Sequence, residues 1–155
     1  NSRTLVEMLK TECDNRGVTL QEALAHDSGQ VPKAARDLSL RSQAIYVPTD
    51  NTVVAALEPV AMICAEYDTP LYAADADSVT RGAMVALSVD YYRMGRETGS
   101  MALEVLEGAN PGQMPVRFLE DLSIHLNVTA AEQMGVDLPW DLLKAADALY
   151  ETFPR

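Results

Sequence analysis

Apolar positions along the chain alternate between two spacings. Leu5, Met8, Leu9 and Cys13 recur at three- and four-residue steps, one face of a helix that Asn15-Arg16-Gly17 ends. Val18 to Ala25 alternates through Val18, Leu20 and Glu22 and is expected to be a short strand. Ser28-Gly29 makes a turn, and Pro32 opens a helix that runs to Leu40. Ala44 to Val47 is a continuous apolar run, as expected of a strand buried on both faces. Pro48-Thr49-Asp50-Asn51 then supplies helix-capping residues before a long helix from Thr52 to Glu66, which Pro59 should kink or break.

The same alternation continues. Leu71 to Ala74 is a second short buried strand, and Asp75-Ala76-Asp77-Ser78 opens a helical turn that Gly82 closes. Met84 to Val89 is a third strand, Asp90 caps a helix from Tyr91 to Glu107, and Gly108 stops it. Val116 to Asn127 is expected to be a strand or hairpin arm. Thr129-Ala130-Ala131-Glu132 is expected to be a capping box, and Pro139 to Glu151 a last helix with Leu138, Leu142, Ala146 and Leu149 on one face. Strands alternating with helices predict an α/β fold, three-layered, with a mostly parallel sheet. The 155 residues amount to a single domain, 1–155.

Charge narrows the function. Asp and Glu number 23 against 12 Lys and Arg, a formal charge of -11. Nucleic-acid binding needs a basic stripe, so no nucleic-acid partner is expected, and attraction to an anionic membrane surface is disfavoured. Cys13 and Cys64 are too few for a disulfide framework and are expected to be thiols packed in helices. The chain opens at Asn1-Ser2 without Met, as a processed chain or a fragment would.

In parallel sheets, ligands bind beyond the carboxyl ends of the strands. The polar residues cluster there: Thr49, Asp50 and Asn51 after the first strand, Asp75, Asp77 and Ser78 after the second, Asp90 and Tyr91 after the third. Each group could simply cap a helix, but three on one sheet edge point to a pocket for a small polar ligand. Asp50, Asp75, Asp77 and Asp90 could instead collect a hard cation, although their spread over three helix starts favours capping and ligand contacts. His26 and His125 stand apart, and no nucleophile elbow, phosphate loop or dinucleotide motif occurs. No catalytic residue, metal or cofactor is expected, and the chain is not read as an enzyme.

Three strings carry a family resemblance: Ala44-Ile45-Tyr46-Val47-Pro48-Thr49-Asp50-Asn51-Thr52-Val53-Val54, Ala74-Asp75-Ala76-Asp77-Ser78-Val79-Thr80-Arg81-Gly82-Ala83, and Val89-Asp90-Tyr91-Tyr92-Arg93-Met94-Gly95-Arg96-Glu97-Thr98-Gly99. In that order they resemble the ABC transporter substrate-binding proteins of the group that binds tryptophan and other aromatic amino acids, from Asn1 to about Val136. The resemblance implies a type I periplasmic-binding-protein fold, two α/β lobes closing on a ligand, of which this chain matches the C-terminal half. The N-terminal lobe and the first strand of this lobe would lie outside it, and helix 91–107 would belong to the hinge or the other lobe. It further implies ligand contacts at Asn1, Ser2, Thr49, Asp50, Asn51, Asp75, Asp77, Asp90 and Tyr91. The implied ligand is an amino acid, the implied partner a membrane permease, and the implied location periplasmic or extracellular and membrane-anchored. The alternative is the effector-binding lobe of a transcription regulator of the same fold. If the chain were the whole molecule, Met94, Met101, Ala102, Val105 and Leu106 would be left exposed and would favour a dimer or larger homo-oligomer.

Overall fold

The computed structural model describes residues 2–119 and 121–154. Five short strands form one sheet in the order β1 (Ile45–Val47), β2 (Leu71–Ala73), β3 (Val85–Val89), β4 (Leu122–Asn127), β5 (Ala148–Tyr150). β1, β2 and β3 run parallel, in a register that places Val47 beside Ala73 and Ala73 beside Ala86. β4 runs antiparallel to β3, and β5 parallel to β4. The sheet is therefore mostly parallel, as the alternating pattern implied.

Helices α1 (Ser2–Asn15), α2 (Val31–Ser39), α3 (Asn51–Val54), α4 (Leu57–Glu66), α5 (Ala76–Thr80), α6 (Tyr91–Leu106), α7 (Val128–Gln133) and α8 (Trp140–Ala145) connect these strands. Val31 and Ala35 of α2, Leu57, Val60, Ala61 and Cys64 of α4, and Val79 of α5 share one core with Ile45, Val47, Leu71, Ala73 and Ala86 of the sheet. The opposite sheet face is open: Tyr46 is 43% and Tyr72 39% exposed. The expectation that these strands are buried on both faces is thus corrected, because α2, α4 and α5 cover one face and α6 buries no residue at all.

Four other expectations change. Residues 18–25 form no strand. The long helix of 52–66 is two helices broken at Ala55–Ala56, and Pro59 sits third in α4, where the first-turn amide it lacks would have no intrahelical partner. Of the arm expected over 116–127, only Leu122–Asn127 is strand. The capping box at Thr129 is overturned: Asn127 caps α7, its Oδ1 accepting from the Ala130 N–H at 3.0 Å, which places Thr129 inside the helix.

The last helix also ends early. α8 stops at Ala145, and Asp147 bonds to Ile124 through its backbone N–H and its carboxylate, at 2.9 and 2.8 Å. That contact lays residues 148–150 alongside β4, so sheet pairing overrides the helical spacing of Leu142, Ala146 and Leu149. Cys13 is half-buried in α1 and Cys64 fully buried in α4, both as free thiols.

Two positions hold the far end of the domain. Asn127, fully buried, donates through Nδ2 to the carbonyls of Val79 and Thr152, both at 2.7 Å. Asn127→Ala leaves those carbonyls and the Ala130 N–H without their partner and should cost about 2–4 kcal/mol, read as a lower urea midpoint. Gly82 has φ +112°, and a Cβ there would lie 2.8 Å from both Ala61 Cβ and Pro154 Cδ. Gly82→Ala should therefore destabilise by about 1–3 kcal/mol in the same assay, from strain as well as crowding.

Candidate functional site

Parallel register carries the ends of β1, β2 and β3 to one edge of the sheet, and each strand ends in an aspartate. Asp50 has an extended backbone, and its Oδ1 accepts from the N–H groups of Thr52 at 2.9 Å and Val53 at 3.3 Å. Asp75, 7% exposed, accepts from the Ser78 N–H at 2.9 Å and the Ser78 hydroxyl at 2.8 Å, one on each oxygen. Asp90 accepts through Oδ1 from Tyr92 N–H at 2.8 Å and Arg93 N–H at 3.1 Å. All three are helix N-caps.

Capping leaves recognition open. An ionised carboxylate offers roughly four lone-pair positions, and capping draws on two of those of Asp75 and of Asp90. The bonds also set each carboxylate in one orientation, which is what a binding group needs. Thr49 and Asn51 flank Asp50 in exposed positions, Asp77 is exposed in the first turn of α5, and Tyr91, 58% exposed, opens α6. Asn1 lies outside the described residues, and Ser2 is the first residue of α1. Eight of the nine expected contacts are thus placed, seven of them at the three strand ends.

A cavity of about 780 Å³ does not lie over the three strand ends. It follows the outer edge of β1 and reaches the expected site only at Pro48 and Asp50. Among the described residues, no group of three or more His, Cys, Asp or Glu side chains is placed to hold a metal ion. His125 pairs with Tyr150, Nδ1 to hydroxyl at 3.1 Å with the rings stacked, as an ordinary strand residue.

Comparison with known proteins gives the family of the chain. The sequence matches the profile of the family described as ABC transporter substrate binding protein over residues 1–150. The chain belongs to that family. A tyrosine-binding protein of Clostridioides difficile (strain R20291) is 32% identical over 127 residues, which is 82% of this chain and 37% of that protein. A solved structure of a conserved domain protein from Vibrio cholerae superimposes with TM-score 0.88 at 34% identity, covering 96% of this chain and 50% of that one. An ABC domain in complex with L-Trp, from Streptococcus pneumonia, superimposes with TM-score 0.85 at 26% identity over the same shares. The chain spans half or less of the length of these proteins. The family is one of substrate-binding proteins, not of enzymes.

Two residues shape this edge from behind. Ser78, one of the polar residues expected after the second strand, is fully buried and holds both oxygens of Asp75. Arg81 makes a two-pronged bond to Glu58, Nε to Oε1 and Nη2 to Oε2, each at 2.6 Å, with no periodicity to announce it. This pair ties the end of α5 to the start of α4. The Glu58 bond above all, and the charges of Asp75 and Asp77 further, raise the Arg81 pKa above its usual value.

The bond from Arg81 in turn holds the Glu58 carboxyl below its ordinary 4.5. A depressed carboxyl pKa contributes stability that is complete above the unfolded value and disappears as pH falls through the folded one. Thermal melts from pH 7 to pH 3 should therefore lose this contribution only below about pH 4.5. Glu58→Gln should lower the melting temperature at pH 7 and leave a shallower acid slope; an unchanged slope would show that the clamp does not stabilise the fold.

Proposed function

We propose that this chain is one lobe of the solute-binding component of an ABC importer, taking an amino acid, preferably aromatic, between itself and a second lobe. What carries the reading is the set of three capped aspartates, Asp50, Asp75 and Asp90, closing three neighbouring parallel strands at one sheet edge. The ends of parallel strands are where α/β sheets bind ligands, and the chain belongs to a substrate-binding family. The aromatic preference rests on the tyrosine-binding relative and the neighbour in complex with L-Trp.

In this reading the carboxylates of Asp75 and Asp90 accept from the ligand ammonium, with Thr49, Asn51 and Asp77 contributing at the rim and Tyr91 offering a ring face. Asn1 and Ser2, which the family resemblance names, complete the proposed set. Lobe closure removes water and strengthens these hydrogen bonds. The exposed face of α6, with Met94, Leu103, Val105 and Leu106, is assigned to the second lobe and the hinge rather than to a second copy of the chain. Half-coverage of the two structural neighbours supports a missing lobe. A permease partner and a periplasmic or extracellular location follow from the same reading.

Calorimetry on the two-lobe protein with L-tryptophan and L-tyrosine is the test. Binding of either, with no binding of a hexose, is expected. Asp75→Ala should weaken that binding about ten- to hundredfold, the equivalent of about 1.5–3 kcal/mol for a charged hydrogen bond. Unchanged affinity would remove Asp75 from the site, and absence of aromatic amino-acid binding would overturn the ligand class.

A further inference from the structure

Asp77 stands four residues before Arg81 along α5, the spacing at which an acid and an arginine lie side by side on a helix, with the acid on the favourable N-terminal side. The guanidinium nevertheless reaches to another helix. Its Nε and Nη2 bond to the two carboxylate oxygens of Glu58, the second residue of α4, each at 2.6 Å. A planar fork engaged at two donors by one carboxylate is held in a single orientation. Behind the Glu58 bond, the charges of Asp75 and Asp77 also raise the Arg81 pKa, so this cation lies within their electrostatic reach.

Anchoring α5 does not depend on this pair alone. The Val79 carbonyl accepts from Asn127 at 2.7 Å and the Thr80 carbonyl from the Thr152 hydroxyl at 2.9 Å, while Ser78 and Val79 are buried. Both partners of the ion pair are partly exposed, where such a pair adds only modestly to stability. Its larger effect falls on the neighbouring carboxylates. A guanidinium free to turn toward Asp77 and Asp75 would take lone pairs that an incoming ammonium needs. Asp77 is exposed and one turn away, so it is the partner within easier reach.

We infer that Glu58 is a positioning residue of the proposed site: by engaging the Arg81 guanidinium it keeps that cation off Asp77 and Asp75, and leaves this part of the edge to an ammonium group. For ligand affinity, this rests on the reading that Asp75 takes the ammonium of the ligand. Because Glu58 acts by removing a competitor, the two halves of the pair are not equivalent. Loss of Glu58 releases a cation beside the site, whereas loss of Arg81 removes the cation altogether. A tie that only joined α4 to α5 would be broken alike by either loss.

Crystal structures and calorimetry of the two-lobe protein and its Glu58→Ala, Arg81→Ala and doubly substituted forms separate these cases. In Glu58→Ala crystals the Arg81 guanidinium should pair with Asp77 or Asp75; a guanidinium turned into solvent would overturn the inference. That observation needs no ligand, so it decides the matter even where the unsubstituted protein binds neither L-tryptophan nor L-tyrosine and the ligand reading fails. With whichever of the two amino acids binds, Glu58→Ala should weaken affinity about fivefold, while Arg81→Ala and the double substitution should bind at least as tightly as the unsubstituted protein. Melting temperatures of the two single variants should fall by similar amounts, which separates affinity from stability. Unchanged affinity in Glu58→Ala, equal weakening by both single substitutions, or no recovery in the double would each overturn the inference.

Discussion

The buried amide of Asn127 is the interaction on which the rest of the domain hangs. A fully buried carboxamide must satisfy its donors and acceptor or lose several kilocalories per mole. Here it satisfies them on three separate elements: the Val79 carbonyl in α5, the Thr152 carbonyl in the tail, and the Ala130 N–H at the start of α7. The Thr152 hydroxyl then donates to the Thr80 carbonyl at 2.9 Å. The end of α5 is therefore held from one direction by Asn127 and Thr152, and from another by the Arg81–Glu58 clamp. At five residues, α5 is far too short to persist unaided. Its first residue follows Asp75, so the placement of that carboxylate depends on an amide at the opposite end of the helix.

That dependence suits one residue type both to structure and to the recognition proposed for this edge. An aspartate that caps a helix is fixed by two hydrogen bonds from the helix start, which orders it before any ligand arrives and lowers the entropic cost of binding. Placing such a cap after each of three parallel strands makes a rigid row of oriented acceptors without a single long side chain. Asp75 is the most constrained of them, because Ser78 holds both oxygens and burial excludes competing water.

What could be read from the chain and what could not divide along one physical line. Strands β1 to β3 and the three aspartate caps are legible because each is decided locally, by an apolar run that ends in a capping residue. The order of the sheet edge follows from them. Asn127 escapes, since an asparagine ahead of a Thr-x-x-Glu string looks like an ordinary residue until Val79 and Thr152 arrive from 48 and 25 residues away. Residues 146–151 escape for the same reason. Their helical spacing is real, but the Asp147–Ile124 contacts outweigh it by closing a sheet pairing. At 18–25 the spacing is that of a strand and the ladder is missing.

Helix α6 shows how an element can be well formed and yet poorly placed by its own domain. Asp90 caps it, and Glu97 and Glu104 on it reach Arg117 at 2.7 Å, while Arg93 reaches Asp121 at 2.8 Å. Those pairs hold Arg117 and Asp121 against the helix, but they are exposed, and exposed ion pairs contribute little to stability. No residue of α6 is buried, while Leu103 and Leu106 are 55% and 85% exposed. Hydrophobic burial, the main force that fixes helices elsewhere in this fold, is thus absent from its contact with the sheet. α6 is therefore held by its cap at Asp90 and by ion pairs to Arg117 and Asp121 rather than by a buried apolar face. Asp90 caps the start of α6 and is also one of the three carboxylates of the proposed site, so the helix with the exposed apolar face and the proposed ligand contacts share a residue.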